Sequence, residues 1–396
     1  MVTPDDAKLA AVRRGVPVTE RLHYLNAGSH GPLAAAAARA ITERAAAELT
    51  EGRVGSPHFV RMRALREATR AEFARLLGCD NTEVALTTST TAGMNYALWG
   101  LDWRAGDEVV TTDVEHFGGL GPLYMLARRF GVVVRIVDTG GRGQNAAAAI
   151  EAALGARTRA VVVSHVSWSA GVVLPLAEIA AVAHRAGALL IADGAQAVGA
   201  IPVDVRALGV DAYALPGQKW LCGPEGIGAL YVARERLADL APSYVGMDAF
   251  ADHDQYARYA MVDDARRFSM PGNPYGPMVA GMQASLRWLL DDVGLVWACA
   301  RVVENTARCR ALLEATAGVE VLTPPGRHAG LLHFNLAGWH PTAVEQELLR
   351  RDVLLRSMVG PLCVRASVGF YNDTADLQAL VGGLEELRRL PPHPPE

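Results

Sequence analysis

Seven short apolar runs, separated by helix-forming stretches, constrain the fold of this chain more than any other feature. The runs are Val84–Thr87, Glu108–Thr112, Val132–Val137, Ala160–Ser164, Ala188–Ala192, Ala212–Leu215 and Ile227–Val232. Between them, Ala92–Leu101, Gly119–Phe130, Ala146–Leu154 and Leu176–Ala186 have helical composition. Strands that are apolar throughout need cover on both faces, and helices inserted between them supply it. The pattern predicts an α/β fold on a mostly parallel seven-stranded sheet. At 396 residues the chain exceeds one compact core, so a second domain is expected.

A stretch punctuated by Gly and Pro near Phe268–Pro277 marks the change. A long helix is expected from about Met278 past Trp288, followed by alternating strands and helices ending in the helix Thr374–Leu390. The expected division has four parts. Residues 1–33 reach into the active site and the small domain, and 34–250 form the large domain. Residues 251–277 lie at the active site and an interface, and 278–396 form a small α+β domain whose tail, 391–396, is disordered.

A net charge of −4 leaves no basic footprint, which argues against nucleic acid as a partner. No apolar run approaches the roughly 18 residues that span a bilayer, so no membrane partner is expected. The first twenty residues carry Asp5, Asp6 and Glu20 and do not read as a signal peptide. Cys79, Cys222, Cys299, Cys309 and Cys363 are odd in number and form no CxxC pair. That usage predicts reduced thiols in a cytoplasm, with neither a disulfide framework nor a metal site.

Chemistry enters at the strand ends. Asp193 closes the fifth run, and Lys219 follows 26 residues later in a glycine-bearing loop after the sixth. Alone, an aspartate there usually caps a turn and a lysine is usually solvated. Together they suit pyridoxal 5'-phosphate, whose aldehyde needs an amine for a Schiff base and whose ring nitrogen needs a carboxylate to stay protonated. Leu86-Thr87-Thr88-Ser89-Thr90-Thr91-Ala92-Gly93 leaves a strand and opens a helix. Hydroxyls and free N–H groups at such a helix start can cradle a phosphate, although simple capping by Ser89 or Thr90 explains them too. No GxGxxG follows the first strand, so a nicotinamide site is not expected.

From Ala188 to Val232 the run ALLIADGAQAVGAIPVDVRALGVDAYALPGQKWLCGPEGIGALYV resembles the signature of class V aminotransferases. These fold-type-I pyridoxal phosphate enzymes include cysteine desulfurases, isopenicillin N epimerase-like proteins and C–S lyases. A weaker likeness extends from Tyr24 to about Leu390. The resemblance implies a fold-type-I transferase with the cofactor on Lys219, Asp193 at the ring nitrogen and Gln196 at the phenolic oxygen. It places His116, in Val114-Glu115-His116, over the ring. Thr90, Thr91 and Gln218 fall at the phosphate, with Pro216 replacing a hydroxyl-bearing serine. Asn273, in Arg267-Phe268-Ser269-Met270-Pro271-Gly272-Asn273, falls on a segment that a neighbouring subunit donates, which implies a homodimer.

At the substrate end, Val364-Arg365-Ala366-Ser367-Val368-Gly369-Phe370-Tyr371-Asn372 resembles the family's carboxylate clamp, with Arg365 as the clamp. Asn26-Ala27-Gly28-Ser29-His30-Gly31 resembles a segment crossing the active site, which brings Asn26 to the substrate and His30 as a further acid–base candidate. Trp168 stands where many desulfurases have an asparagine touching substrate. The persulfide-forming cysteine of desulfurases has no counterpart in Leu355–Arg365, and Cys363 and Cys222 read as buried. The implied reaction joins an α-amino acid to the cofactor as an external aldimine and removes its Cα proton. β-Elimination of the C–S lyase type leads. An aminotransferase, an epimerase and a non-catalytic cofactor-binding protein are the alternatives.

Overall fold

The computed structural model describes residues 4–326 and 328–391. The apolar runs become seven strands: β1 Val84–Thr87, β2 Glu108–Thr112, β3 Val133–Val137, β4 Thr158–Ser164, β5 Leu189–Asp193, β6 Ala212–Pro216 and β7 Gly228–Val232. They form one sheet in the order β1-β7-β6-β5-β4-β2-β3. Only β7 runs against its neighbours; the other pairings are parallel. Except at the edge strand β3 and at Arg159, every strand residue is buried, which is why the runs are apolar throughout.

The crossover helices are those expected, at Thr90–Trp99, Phe117–Phe130, Ala146–Ala153 and Leu176–Arg185. Two long helices, Ala35–Glu51 and Ser56–Leu77, add cover. In the sequence only the Ala-rich patch Ala34–Ala38, at the start of the first, reads as helical; charged residues recur along both and break up any apolar run that would delimit them. The helix opening the expected small domain is Gly276–Arg287, and it continues past Trp288 as a π-helical turn, Trp288–Val293. Its Val279, Met282 and Leu286 are buried in the larger core.

A second sheet follows: β8 Val319–Val321, β9 Leu331–Leu336, β10 Arg356–Met358 and β11 Cys363–Ser367. Its order is β8-β9-β11-β10, antiparallel throughout. Helices Leu295–Ala315, Pro341–Leu349 and Thr374–Arg388 pack with it. Of the tail expected to be disordered, 392–396 lie outside the described residues.

The N-terminal segment links the two sheets. His23–Tyr24 pairs with Val353–Leu354, Leu25 is buried in the smaller core, and Asn26 bridges to Ser367. The chain then crosses to the larger sheet, where the Gly31 N–H donates to the Gln218 carbonyl at 2.7 Å. A Cβ on Gly31 would lie 2.0 Å from the Lys219 carbonyl oxygen. Only glycine permits that approach.

Candidate active site

In an open parallel sheet, ligands bind beyond the carboxyl ends of the strands. A cavity of about 290 Å³ lies there, at the lower end of small-molecule sites. Five strands deliver its floor and walls. Thr90 and Thr91 follow β1, His116 follows β2, Trp168 follows β4, Asp193 ends β5, and Gln218 and Lys219 follow β6. Two larger clefts lie elsewhere, but among the described residues neither joins an amine, a strand-end carboxylate and a helix start in one space.

Burial pushes the Lys219 ammonium down to about 8, and the Arg365 and Arg356 charges act in the same direction against the opposing pull of Asp193. The amine is thus available as a nucleophile and base near neutral pH. The Lys219 carbonyl accepts from Cys222 N at 3.1 Å, closing a turn on a residue with φ of 55°. Asp193 is buried, with Oδ1 accepting from Ala195 N at 2.8 Å.

At the other end, Ser89 Oγ is used by the helix, accepting from Ala92 N at 3.1 Å. Thr90 Oγ1 is buried with no partner, as are Gln218 Oε1 and Arg365 Nε. An unpaired buried polar group costs about 1–3 kcal/mol. Three such groups around one cavity mark a place that a polar ligand completes.

His116 caps the helix Phe117–Phe130, its Nδ1 accepting from Gly118 N at 2.9 Å. Partial burial and then the Lys219 charge hold its pKa below the usual imidazole value. Trp168 meets it at right angles, with ring centroids 5.2 Å apart. Beneath, Glu115 is buried between strands: Thr112 Oγ1 donates to it at 2.5 Å and Ser164 N and Oγ at 2.6 Å. Burial raises the Glu115 carboxyl to about 7.

Gln196 is partly committed. Its Nε2 donates to the Gly28 carbonyl at 2.8 Å and its Oε1 accepts from Trp220 Nε1 at 3.0 Å, leaving one amide proton free.

Arg365 is 1% exposed, and its Nη2 donates to Ser29 Oγ at 2.9 Å. Burial, then the charge of Arg356, lowers its pKa to about 10. Arg356 is its cross-strand partner and also reaches Ser29 Oγ, at 3.4 Å. Among the described residues neither guanidinium has a carboxylate partner. Two cations around one hydroxyl, without an acid, form a receptor for an anion. Sequence reading gave no role to Arg356 or Ser29, whose relevance depends on strand register and on a chain crossing.

Two expected residues do not join this space within one chain. Asn26 does not line the cavity; Gly28, Ser29 and His30 of its segment do. Asn273 lies in a separate cleft of about 940 Å³ beside Phe59 and Tyr275. His30 is exposed, with Nε2 3.6 Å from Glu225 Oε1.

The Aminotransferase class-V family model matches residues 39–380. The chain belongs to that family. A probable cysteine desulfurase of Methanothermobacter thermautotrophicus is 30% identical over 395 residues, covering 95% of this chain and 97% of the relative. The cystine C–S lyase C-DES, solved with its reaction product cysteine persulfide, has a TM-score of 0.89 at 29% identity, covering 94% of this chain and 99% of that one. A C-DES mutant was solved with glycine covalently linked to its PLP cofactor. The cysteine desulfurase of Thermococcus onnurineus NA1 has a TM-score of 0.86 at 26% identity, covering 98% and 99%.

This class-V aminotransferase-family chain is therefore a pyridoxal-phosphate-dependent enzyme, with the fold-type-I architecture expected from its sequence. The residues present fit that cofactor: a lysine of lowered pKa, a strand-end carboxylate, and the unpartnered Thr90 hydroxyl at a helix start. Loading is expected to follow the Lys219 amine. The rate of cofactor binding should rise with pH and level off above about 8. An ordinary lysine would keep the rate rising toward about pH 10. Stopped-flow absorbance on the apoprotein measures this.

Proposed function

We propose that this enzyme cleaves the Cβ–S bond of a sulfur-bearing L-amino acid by β-elimination, with L-cystine and L-cysteine as the first substrates to test. The observation that carries this reading is the hairpin between β10 and β11. Its loop, Val359-Gly360-Pro361-Leu362, holds no thiol. The adjacent Cys363 is fully buried, which pushes its thiol up to about 11. Cys222 is also buried, and its pKa is likewise raised. Attack on substrate sulfur requires an accessible thiolate, and neither residue offers one. Elimination needs only a base at Cα and a leaving group at Cβ.

Each step has a residue. When bound, pyridoxal phosphate supplies an electron sink that acidifies the substrate Cα–H. Arg365 holds the substrate carboxylate through its guanidinium fork, with Arg356 beside it as a second cation. The neutral Lys219 amine takes the Cα proton, and the sulfur departs with the Cβ–S bonding pair. Trp168 and His116 bound the space around the substrate side chain. Names of relatives support this substrate class: C-DES is described as a cystine C–S lyase, and other relatives as cysteine desulfurases.

Incubating the holoenzyme with each amino acid and assaying pyruvate tests the proposal. A keto acid retaining the side chain would mean transamination, and an inverted Cα epimerisation; either without pyruvate overturns elimination. Arg365→Ala is expected to raise the apparent KM about 10–100-fold, the equivalent of a charge-assisted hydrogen bond, leaving the cofactor spectrum unchanged.

The proposal includes a homodimer. Val54, Phe59, Met247 and Tyr275 are exposed around the cleft that holds Asn273, and apolar surface so placed favours a partner. A second copy in a closed twofold arrangement would bring Asn273 to its neighbour's cavity. The five free cysteines support a reducing, cytoplasmic setting. No described helix is long and apolar enough to cross a membrane. Replacing Cys79, Cys222, Cys299, Cys309 and Cys363 together by Ser or Ala should preserve both dimer and turnover. Sedimentation and pyruvate assays check this, and lost activity in a folded dimer would restore a thiol mechanism.

A further inference from the structure

Trp168 is held from several sides. Its indole Nε1 donates to the Glu115 carbonyl at 2.9 Å, and its ring abuts His116. Gly360 of the β10–β11 hairpin lies so near that a Cβ there would meet the indole at 3.2 Å. The remaining hold comes from the smaller sheet, where His333 Nε2 lies 3.0 Å from the Trp168 carbonyl oxygen.

His333 is 1% exposed on β9, and its cross-strand partner is Arg365. Hydrogen bonding fixes its tautomer. The His333 backbone N–H donates to Thr323 Oγ1 at 2.8 Å, and with Nε2 facing the accept-only Trp168 carbonyl the same hydroxyl donates its own proton to His333 Nδ1 at 3.1 Å. Nδ1 is then the bare nitrogen and Nε2 carries the hydrogen, which a carbonyl can only accept. Burial, and then the Arg365 charge, push the imidazole down to about 3. It remains neutral at working pH.

We infer that His333 is a positioning residue for the substrate pocket. Through Trp168 it ties the strand next to the carboxylate clamp to the wall that meets the substrate side chain, and so sets which side chains are admitted. The choice of substrates below rests on the C–S lyase reading; the positioning itself does not.

The test reads both. Protein labelled with 5-fluorotryptophan has seven fluorinated sites, and Trp168→Phe assigns the one of interest. In the apoprotein, His333→Phe should shift or broaden the Trp168 19F resonance. In the holoenzyme, it should change the ratio of kcat/KM for L-cystine over L-cysteine about tenfold, the scale of one buried hydrogen bond, with cofactor absorbance unchanged. His333→Gln, whose amide can donate to the same carbonyl, should restore both. Thr323→Val, which removes the hydroxyl that holds both His333 Nδ1 and the His333 backbone N–H, should move both in the same direction and serves if His333→Phe does not fold. An unmoved resonance overturns the inference, as does an unchanged ratio in an enzyme that turns over both substrates. If neither substrate yields pyruvate, the lyase reading fails, and the apoprotein resonance alone decides whether His333 positions Trp168.

Discussion

Lys219→Ala is expected to abolish turnover, lowering pyruvate formation by at least about 10³-fold, because the variant loses both the covalent anchor and the Cα base. The effect should fall on the rate and not on folding. Lys219 is partly buried at the cavity floor, and alanine there removes a group that costs energy to bury when charged. Unusually direct chemistry can check the anchor. Of 38 lysines and arginines, only Lys8 and Lys219 are lysines, and Lys8 lies over the Trp297 ring, 4.8 Å from its centroid. Borohydride reduction of the yellow holoenzyme followed by peptide mass spectrometry therefore has two possible lysine acceptors. The adduct should sit on Lys219 and be absent from Lys219→Ala. Wild-type turnover in that variant would remove the mechanism.

The same count shows what the sequence displayed and what it hid. A chain that takes nearly all its cations as arginine, yet keeps a lysine beside a strand end, needs an amine there and not merely a charge. The strands were legible because burial on both faces makes them apolar from end to end. Asp193, Lys219 and the hydroxyls after β1 were legible because each follows such a run directly. His333, Arg356 and Ser29 were not. Arg356 matters only because antiparallel register sets it opposite Arg365, and His333 only because β9 lies on the other side of that strand. A polar residue on a short strand gives no local sign of its cross-sheet neighbour. Asn26 shows the same limit in reverse. Its segment does reach the cavity, but the turn after it presents Ser29 and leaves Asn26 bridged to Ser367. Pairing across sheets, and across the subunit boundary proposed for Asn273, is information that one linear pattern does not carry.

Asp193→Asn is expected to cost about 10²–10³-fold in kcat, the scale for removing one preorganised electrostatic contact from a developing charge. The substitution is nearly isosteric and keeps local structure. The Ala195 N–H now donated to Oδ1 at 2.8 Å still finds a carbonyl oxygen on asparagine. What changes is the group offered to the cofactor ring nitrogen. A carboxylate stabilises the protonated ring, whereas an amide presents either a dipole or a competing N–H. The sink for Cα electrons weakens while the phosphate end, at Thr90, is untouched, so cofactor affinity should fall far less than rate. The apoprotein gives an independent sign. Asp193 opposes the lowering of the Lys219 pKa, so its neutralisation should move the Lys219 titration below about 8. The pH dependence of cofactor loading should shift to lower pH accordingly. A variant that loads with the wild-type pH profile and turns over at the wild-type rate would show that Asp193 is not the ring's partner. A loading curve that moves down in pH while kcat collapses would assign both effects to one carboxylate at the end of β5.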